Sequence, residues 1–124
     1  MEQTRTEILN EILKSLSISN PDIEAAAIFS TEGLPVASSL PAATEEDRMA
    51  ANSSSVLAAS EKAVGEFNVG GFEQVFIRGT DGYAIISRAG AEAILVIIAR
   101  KDAKLGMVFF DIKRILSQIN PILS

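Results

Sequence analysis

The chain has 124 residues, of which 48% are hydrophobic and 22% charged, so it fits a single domain spanning residues 1–124 with a packed core, and not a disordered chain. A formal net charge of −5 argues against a nucleic-acid partner, and the absence of cysteine and histidine removes disulfides, thiolate chemistry, the commonest general base and the commonest metal ligand. The longest wholly apolar run, residues 93–99, is far shorter than a membrane span of about 20 residues, and the chain opens without a charged-then-apolar leader, so we expect a cytoplasmic protein that does not insert into membranes.

The first predicted element is an amphipathic helix. Thr4 and Glu7 fit the S/T-x-x-E capping box that opens helices. Apolar residues then recur at helical spacing and form one stripe: Ile8, Leu9, Ile12, Leu13 and Leu16. The Asn20-Pro21 pair predicts the end of this helix, because proline cannot continue it.

A hairpin is expected next. Residues 23–30 form an alanine-rich strand that is apolar on both faces. Gly33 is the natural positive-φ residue of the turn, and residues 34–39 return as the partner strand. Pro35 lacks a backbone donor, so this partner strand is predicted to lie at a sheet edge.

After a linker at residues 40–43, a second helix is predicted to run to about Phe67. We expect Thr44 and the acids that follow it, Glu45, Glu46 and Asp47, to cap its start. One arc of this helix is predicted to face the core: Met49, Ser53, Val56, Leu57, Ser60, Ala63, Val64 and Phe67. The opposite arc is dominated by small residues: Ala51, Ser54, Ser55, Ala58 and Ala59, with Asn52, Lys62 and Glu66. Such an arc is either a close-packing surface for another backbone or a plain solvent-facing Ala/Ser surface.

Residues 73–100 predict a three-stranded antiparallel meander. Asp81-Gly82 is an Asp-Gly pair of the kind that supplies positive φ in tight hairpins, and Gly90 marks a second, weaker turn. The last strand is apolar at every position from residue 93 to 99, so it needs cover on both faces and a neighbour on both edges. That strand therefore belongs in the middle of the sheet.

A third helix ends the chain. Asp102 is its predicted N-cap, and Pro121 is expected to close it. Its predicted buried face consists of Leu105, Val108, Phe109, Ile112, Ile115, Leu116 and Ile119. Met107 and Phe110 lie off this stripe and are either flanking core residues or an exposed partner contact.

Together these elements predict an α+β fold with the order α-β-β-α-β-β-β-α. The best second neighbour for the apolar last strand is the alanine-rich first strand, which gives a five-stranded antiparallel sheet in the order 2-1-5-4-3. The second helix must carry the chain from one edge to the other across one face, and the first and third helices cover the other face.

The strand at residues 74–78 is the less protected edge, since it contains neither proline nor lysine. Together with the neighbouring second helix it forms a surface suited to two-fold pairing. We predict a homodimer in which two sheets join edge to edge. The predicted interface comprises Asn52, Val56, Ala59, Ala63, Gln74, Phe76 and Arg78.

No catalytic constellation is evident. The sequence has no G-x-x-x-x-G-K-[ST] loop, no G-x-G-x-x-G opening a helix and no G-x-S-x-G elbow. Arg48 could reach into a nucleotide site of a partner, but a surface salt bridge is the simpler interpretation. We therefore predict a non-enzyme without cofactor or metal.

Three features resemble the Roadblock / dynein light chain family, especially its bacterial and archaeal single-domain members. They are the order of elements, the hairpin IFSTEGLPVASS at residues 28–39, and the stretch at residues 72–114 with its KDAKLG segment. The resemblance covers nearly the whole chain and implies a roadblock/profilin-like fold. It also implies dimers formed through the second helix and the third strand, and a role as regulator or scaffold of Ras-like small GTPases.

Bacterial relatives that act as GTPase-activating proteins bind the GTPase as dimers. We place the GTPase contact on the exposed side of the second helix, at Arg48, Ser55, Lys62 and Glu66. The alternatives are a small-ligand sensor, which requires an apolar pocket with a few convergent polar groups, and a purely structural assembly subunit.

Overall fold

The computed structural model describes residues 2–123 and contains three helices and five strands within them. In chain order they are α1 (Arg5–Ser19), β1 (Ile23–Ser30), β2 (Pro35–Ser39), α2 (Glu46–Glu66), β3 (Gln74–Arg78), β4 (Gly82–Ala89), β5 (Ala93–Arg100) and α3 (Leu105–Leu123). This order of elements is the one predicted from the sequence.

The strands form one antiparallel sheet in the order β2-β1-β5-β4-β3, which confirms the predicted topology. β5 pairs with β1 on one side and with β4 on the other. Its residues 93–97 are all buried, because helices cover them from both faces. The apolar character of this strand follows from its central position.

Two layers of helix sandwich the sheet. α1 and α3 share one hydrophobic core with the face of the sheet that carries Ile28, Ile85 and Ile97. α2 packs on the opposite face, where Phe29, Ile94 and Val96 form a second core. The predicted distribution of helices, two on one face and one on the other, is confirmed.

α1 begins as its sequence predicts. The Thr4 hydroxyl accepts a hydrogen bond of 3.1 Å from the Glu7 amide, and Leu9, Leu13 and Leu16 are fully buried. Asn20 ends the helix, and its side-chain amide donates 2.8 Å to the carboxylate of Asp111 in α3. This bond ties the end of α1 to α3 and gives the buried Asp111 a polar partner.

The predicted N-caps of the other two helices are wrong. Glu45, not Thr44, precedes the first residue of α2, and it makes no side-chain capping bond. α3 begins at Leu105, three residues after Asp102, because the chain first makes a turn in which the Ala103 amide donates to the Arg100 carbonyl. The Asp22 carboxylate accepts from the Lys104 amide at 3.1 Å, so a distant residue takes the part assigned to Asp102.

Pro121 does not close α3, which continues to Leu123. The proline removes one backbone bond, and the helix tolerates this loss because Pro121 stands in its last turn. That turn is held by the β4–β5 connection, where the Gly90 amide donates 3.0 Å to the Asn120 side chain and Gly90 lies against Leu123.

The turns follow the glycine signals only in part. Gly33 has positive φ, as predicted, and so does Gly90, but Asp81 and Gly82 do not. Asn68, with φ of 57°, takes the left-handed position just after α2. Gly82 is required for a different reason, since a Cβ at this position would lie 2.8 Å from the Ala99 carbonyl oxygen in the neighbouring strand.

We expect Gly82→Ala to lower the free energy of unfolding by about 2 kcal/mol, because the added methyl group forces β4 away from β5. Urea denaturation at a fixed protein concentration measures the change. Gly79→Ala is the matched control, since a Cβ there would make only an ordinary 3.5 Å contact at the other end of the same turn. Equal stability of the two variants would contradict the steric explanation.

Candidate interaction surfaces at the sheet edge

β3 is an open edge whose backbone groups point outward at alternate residues. The Gly79 amide donates to Gly82, and the Arg88 amide donates to Glu73, each over 2.9 Å. Since hydrogen-bonded pairs alternate along an antiparallel ladder, residues 73, 75, 77 and 79 direct their backbone groups to β4. The amides and carbonyls of Gln74, Phe76 and Arg78 therefore face away from the sheet and are available to another strand.

The side chains of β3 divide between the two faces. Register places Val75 and Ile77 on the α2 side, opposite Ile86 and Ala84 of β4. Gln74, Phe76 and Arg78 lie on the α3 side, where Gln74 donates 2.9 Å to the Ser87 hydroxyl. The predicted interface therefore combines residues from opposite faces, and only the strand backbone connects them.

A groove of about 400 Å³ separates α2 from the outer strands on the α2 side. Asn52 and Val56 line its helical wall, and Ile77, Ala84 and Ile98 line its floor. The floor is apolar and leads directly to the β3 edge. Two predicted interface residues thus border an apolar surface that includes Ile77, a residue absent from the prediction.

Most of the predicted core-facing arc of α2 does face the core, where Met49, Val56 and Val64 pack against buried residues. Ala50, Ser53 and Leu57 are its buried residues, whereas Phe67 is 73% exposed, so the assignment of Phe67 to the core was wrong. Of the predicted interface residues on α2, Val56 and Ala63 are half-buried and Ala59 is exposed. Val56 lines the groove, whereas Ala59 and Ala63 do not.

The four predicted GTPase-contact residues form one exposed stripe along α2. Arg48, Ser55, Lys62 and Glu66 are all exposed and recur at helical spacing opposite the buried face. Arg48 makes a 3.1 Å ion pair with Glu45, as the simpler interpretation expected, and the Ser55 hydroxyl donates to the Ala51 carbonyl at 3.2 Å. The stripe is free of core packing and open to a partner.

A second groove, of about 620 Å³, lies on the α3 side between α3 and the strands β3 and β4. Phe109, Ile112 and Leu116 form its helical wall, while Gln74 and Ser87 belong to its floor. Phe76 continues the floor, with ring centroids 5.4 Å from Tyr83 and 5.8 Å from Phe109. The sequence prediction missed this groove, although alternation along β3 places Gln74 and Phe76 on the same face.

Met107 and Phe110 lie outside both grooves. They are 54% and 61% exposed on the outer side of α3, so the flanking-core alternative is wrong for both residues. Within residues 2–123 no group of three or more acidic side chains is placed to hold a metal ion. Over the same residues, none of the helices has the length and apolar content needed to cross a bilayer.

Comparison with known proteins identifies the family. The model of the Roadblock/LC7 domain matches residues 9–99. The chain belongs to this family. Two uncharacterized proteins of Methanocaldococcus jannaschii are each 30% identical to this Roadblock/LC7 domain over 97 residues, which cover 78% of it and 84% of each relative.

Solved structures share the fold of this Roadblock/LC7 domain. Gliding protein MglB from Thermus thermophilus superposes with a TM-score of 0.88 at 20% identity, covering 99% of this chain and 93% of that one. Acanthamoeba castellanii profilin IA gives a TM-score of 0.61 at 14% identity, covering 90% and 96%. At such identities the likeness establishes the fold, and the predicted roadblock/profilin-like architecture is confirmed.

Proposed function

We propose that this Roadblock/LC7 domain is a cytoplasmic homodimer that regulates or scaffolds a Ras-like small GTPase. It acts by binding, without a cofactor or catalytic residues of its own. The observation that carries the proposal is the unpaired β3 edge beside an apolar groove. Such an edge is a template for another strand, and a second copy of the chain supplies an identical one.

The apolar surface on the α2 side of the sheet also supports edge-to-edge pairing. A two-fold axis perpendicular to the sheet joins two β3 strands in antiparallel orientation and keeps both α2 helices on one face. The second copy would then cover the apolar floor at Ile77 and Ile98, which the single chain leaves partly open. Removing this surface from water favours association.

Family membership supports the GTPase partner, which the sequence resemblance implies. The α2 stripe supports its location, because the two stripes of a dimer would lie on the same face. The stripe has one small and three charged side chains, so it offers a point of close approach together with polar contacts. Effects on nucleotide hydrolysis or release would follow from how the bound dimer holds the partner's nucleotide site.

The test mixes the purified protein with small GTPases encoded in the same genome, each loaded with GDP or a GTP analogue. Calorimetry measures binding, and parallel assays follow GTP hydrolysis and nucleotide release. We expect Ser55→Arg to weaken the complex about tenfold or more, because a long charged side chain enters the centre of the contact.

Ser15→Arg is the matched control. Ser15 is also exposed on a helix and also donates to a backbone carbonyl of that helix, that of Ile12, but α1 covers the other face of the sheet. Its affinity for the GTPase should remain that of the unaltered chain. Absence of binding to every GTPase tested would overturn the proposal, as would equal losses from the two substitutions.

A further inference from the structure

The helical layer on the α3 side leaves most of β3 uncovered. α1 packs on β1 and β2, and α3 packs on β4 and β5. Gln74, Phe76 and Arg78 project from β3 on this side and are exposed, with Phe76 at 40%. Two helices thus cover four strands, and the fifth keeps exposed apolar surface although Phe76 touches Phe109 of α3.

Pairing of two β3 strands doubles this uncovered strip and places an α3 helix on each side of it. Neighbouring strands lie about 4.8 Å apart, so two strands give a strip about 10 Å wide. An α-helix with its side chains has a diameter of about 10–12 Å. The homodimer would therefore contain a trough of one helix width, which neither copy forms alone.

The trough combines an apolar floor with positively charged margins. Phe76 and Tyr83 supply the floor, and Phe109 and Leu116 extend it up the wall. Two basic side chains of each copy border it, Arg78 on β3 and Lys113 on α3. Arg88 and Glu73 lie at one end of the groove but at register positions of the α2 side, where Arg88 forms a 2.9 Å ion pair with Glu61.

Positively charged margins are unusual in a chain with net charge −5. We propose that the α3-side trough of the homodimer binds one amphipathic helix of a partner protein, with an apolar stripe on the floor and Asp or Glu along both margins. The inference rests on the proposed homodimer but not on the GTPase. The trough and the α2 stripes lie on opposite faces of the joined sheet, so the dimer would hold two partners at once.

The experiment selects ligands from a display library of 18-residue helical peptides with a fixed leucine stripe and randomised polar positions. The target is the full chain, and its oligomeric state is measured by analytical ultracentrifugation on the same sample. We expect enrichment of acidic peptides that bind with one peptide per two chains. NMR titration should shift the amides of Gln74, Phe76, Ser87 and Lys113, and not those of the α2 stripe.

Charge reversal provides the matched variants. Lys113→Glu should weaken the selected peptides about tenfold, because it replaces an attraction at the margin by a repulsion. Lys101→Glu, which changes another exposed lysine in the turn before α3, should leave the affinity unaltered. Four outcomes would each overturn the proposed trough site. They are a failure to enrich acidic peptides, binding of two peptides per dimer, equal effects of the two variants, and NMR shifts centred on Met107 and Phe110.

Sedimentation separates the two possible failures. A dimer that selects no acidic helix rejects the trough and leaves the homodimer and its GTPase role standing. A monomer rejects the homodimer, and peptide binding by that monomer would also reject a site built from two copies.

Discussion

Phe76→Pro is expected to sediment as a monomer at concentrations at which the unaltered chain is a dimer. The Phe76 amide faces away from β4, so proline at this position removes a bond to the second copy and none within the sheet. The substitution occurs twice in a two-fold interface, and each proline ring also obstructs the facing strand. A loss of about 3 kcal/mol, or roughly a hundredfold in the dissociation constant, is expected.

Phe76→Ala distinguishes the contribution of the backbone amide from that of the aromatic ring. It keeps the outward amide and removes the aromatic side chain that lies between Tyr83 and Phe109 on the α3 side. We expect this variant to remain a dimer while losing affinity for the acidic helix. A dimer in both variants would show that β3 backbone pairing does not hold the two copies together, and circular dichroism would verify that each variant is folded.

The sheet order could be predicted because two strands carry strong and different signals. Residues 93–99 are apolar at every position, which requires a central place, and Pro35 requires an edge. Once β5 is central and β2 is an edge, the alanine-rich β1 is the natural strand between them. The apolar run and the proline are local features of the sequence. They determine the topology because one strand needs cover and neighbours on all sides and the other can only be an edge.

The helix starts could not be predicted in the same way, because contacts outside the capping patterns decide them. Asp102 has the side chain of an N-cap, but the Lys104 amide finds its partner in Asp22, 82 residues away in sequence. Thr44 likewise matches a capping pattern, yet its amide is taken by a turn with Pro41 and the helix begins two residues later. A tertiary contact decides the start of α3, and a turn with a nearby residue decides that of α2.

The sequence predicted the β3 edge as an interaction site but did not show that the edge has separate surfaces on the two faces of the sheet. Gln74, Phe76 and Arg78 were grouped with α2 residues because β3 and α2 were expected to be neighbours. Alternation along β3 instead places Val75 and Ile77 on the α2 side. Phe67 was assigned to the core because it is apolar and falls at helical spacing, but it is 73% exposed just after α2. A single sequence shows that a residue is apolar but does not show whether the chain buries it.

The largest loss of stability is expected from Ile97→Ala. Ile97 is fully buried in β5, opposite Ile85 and Ala26, and contributes to the core beneath α1 and α3. Truncation leaves a cavity that the surrounding strands cannot close, so the free energy of unfolding should fall by about 4 kcal/mol. Urea denaturation at several protein concentrations measures the loss.

Ile98→Ala is the control at the neighbouring residue, and it also tests whether a second copy covers the groove. Its side chain lies on the α2 side, half-buried on the floor of the groove, so the same truncation should cost about 1–2 kcal/mol in a single copy. If a second copy covers that floor, the loss at Ile98 will be greater in the dimer than in the Phe76→Pro background, whereas the loss from Ile97 will be the same in both. Equal losses at Ile98 in the two backgrounds would mean that the groove stays open to water when two copies associate, and that the strand edge alone joins them.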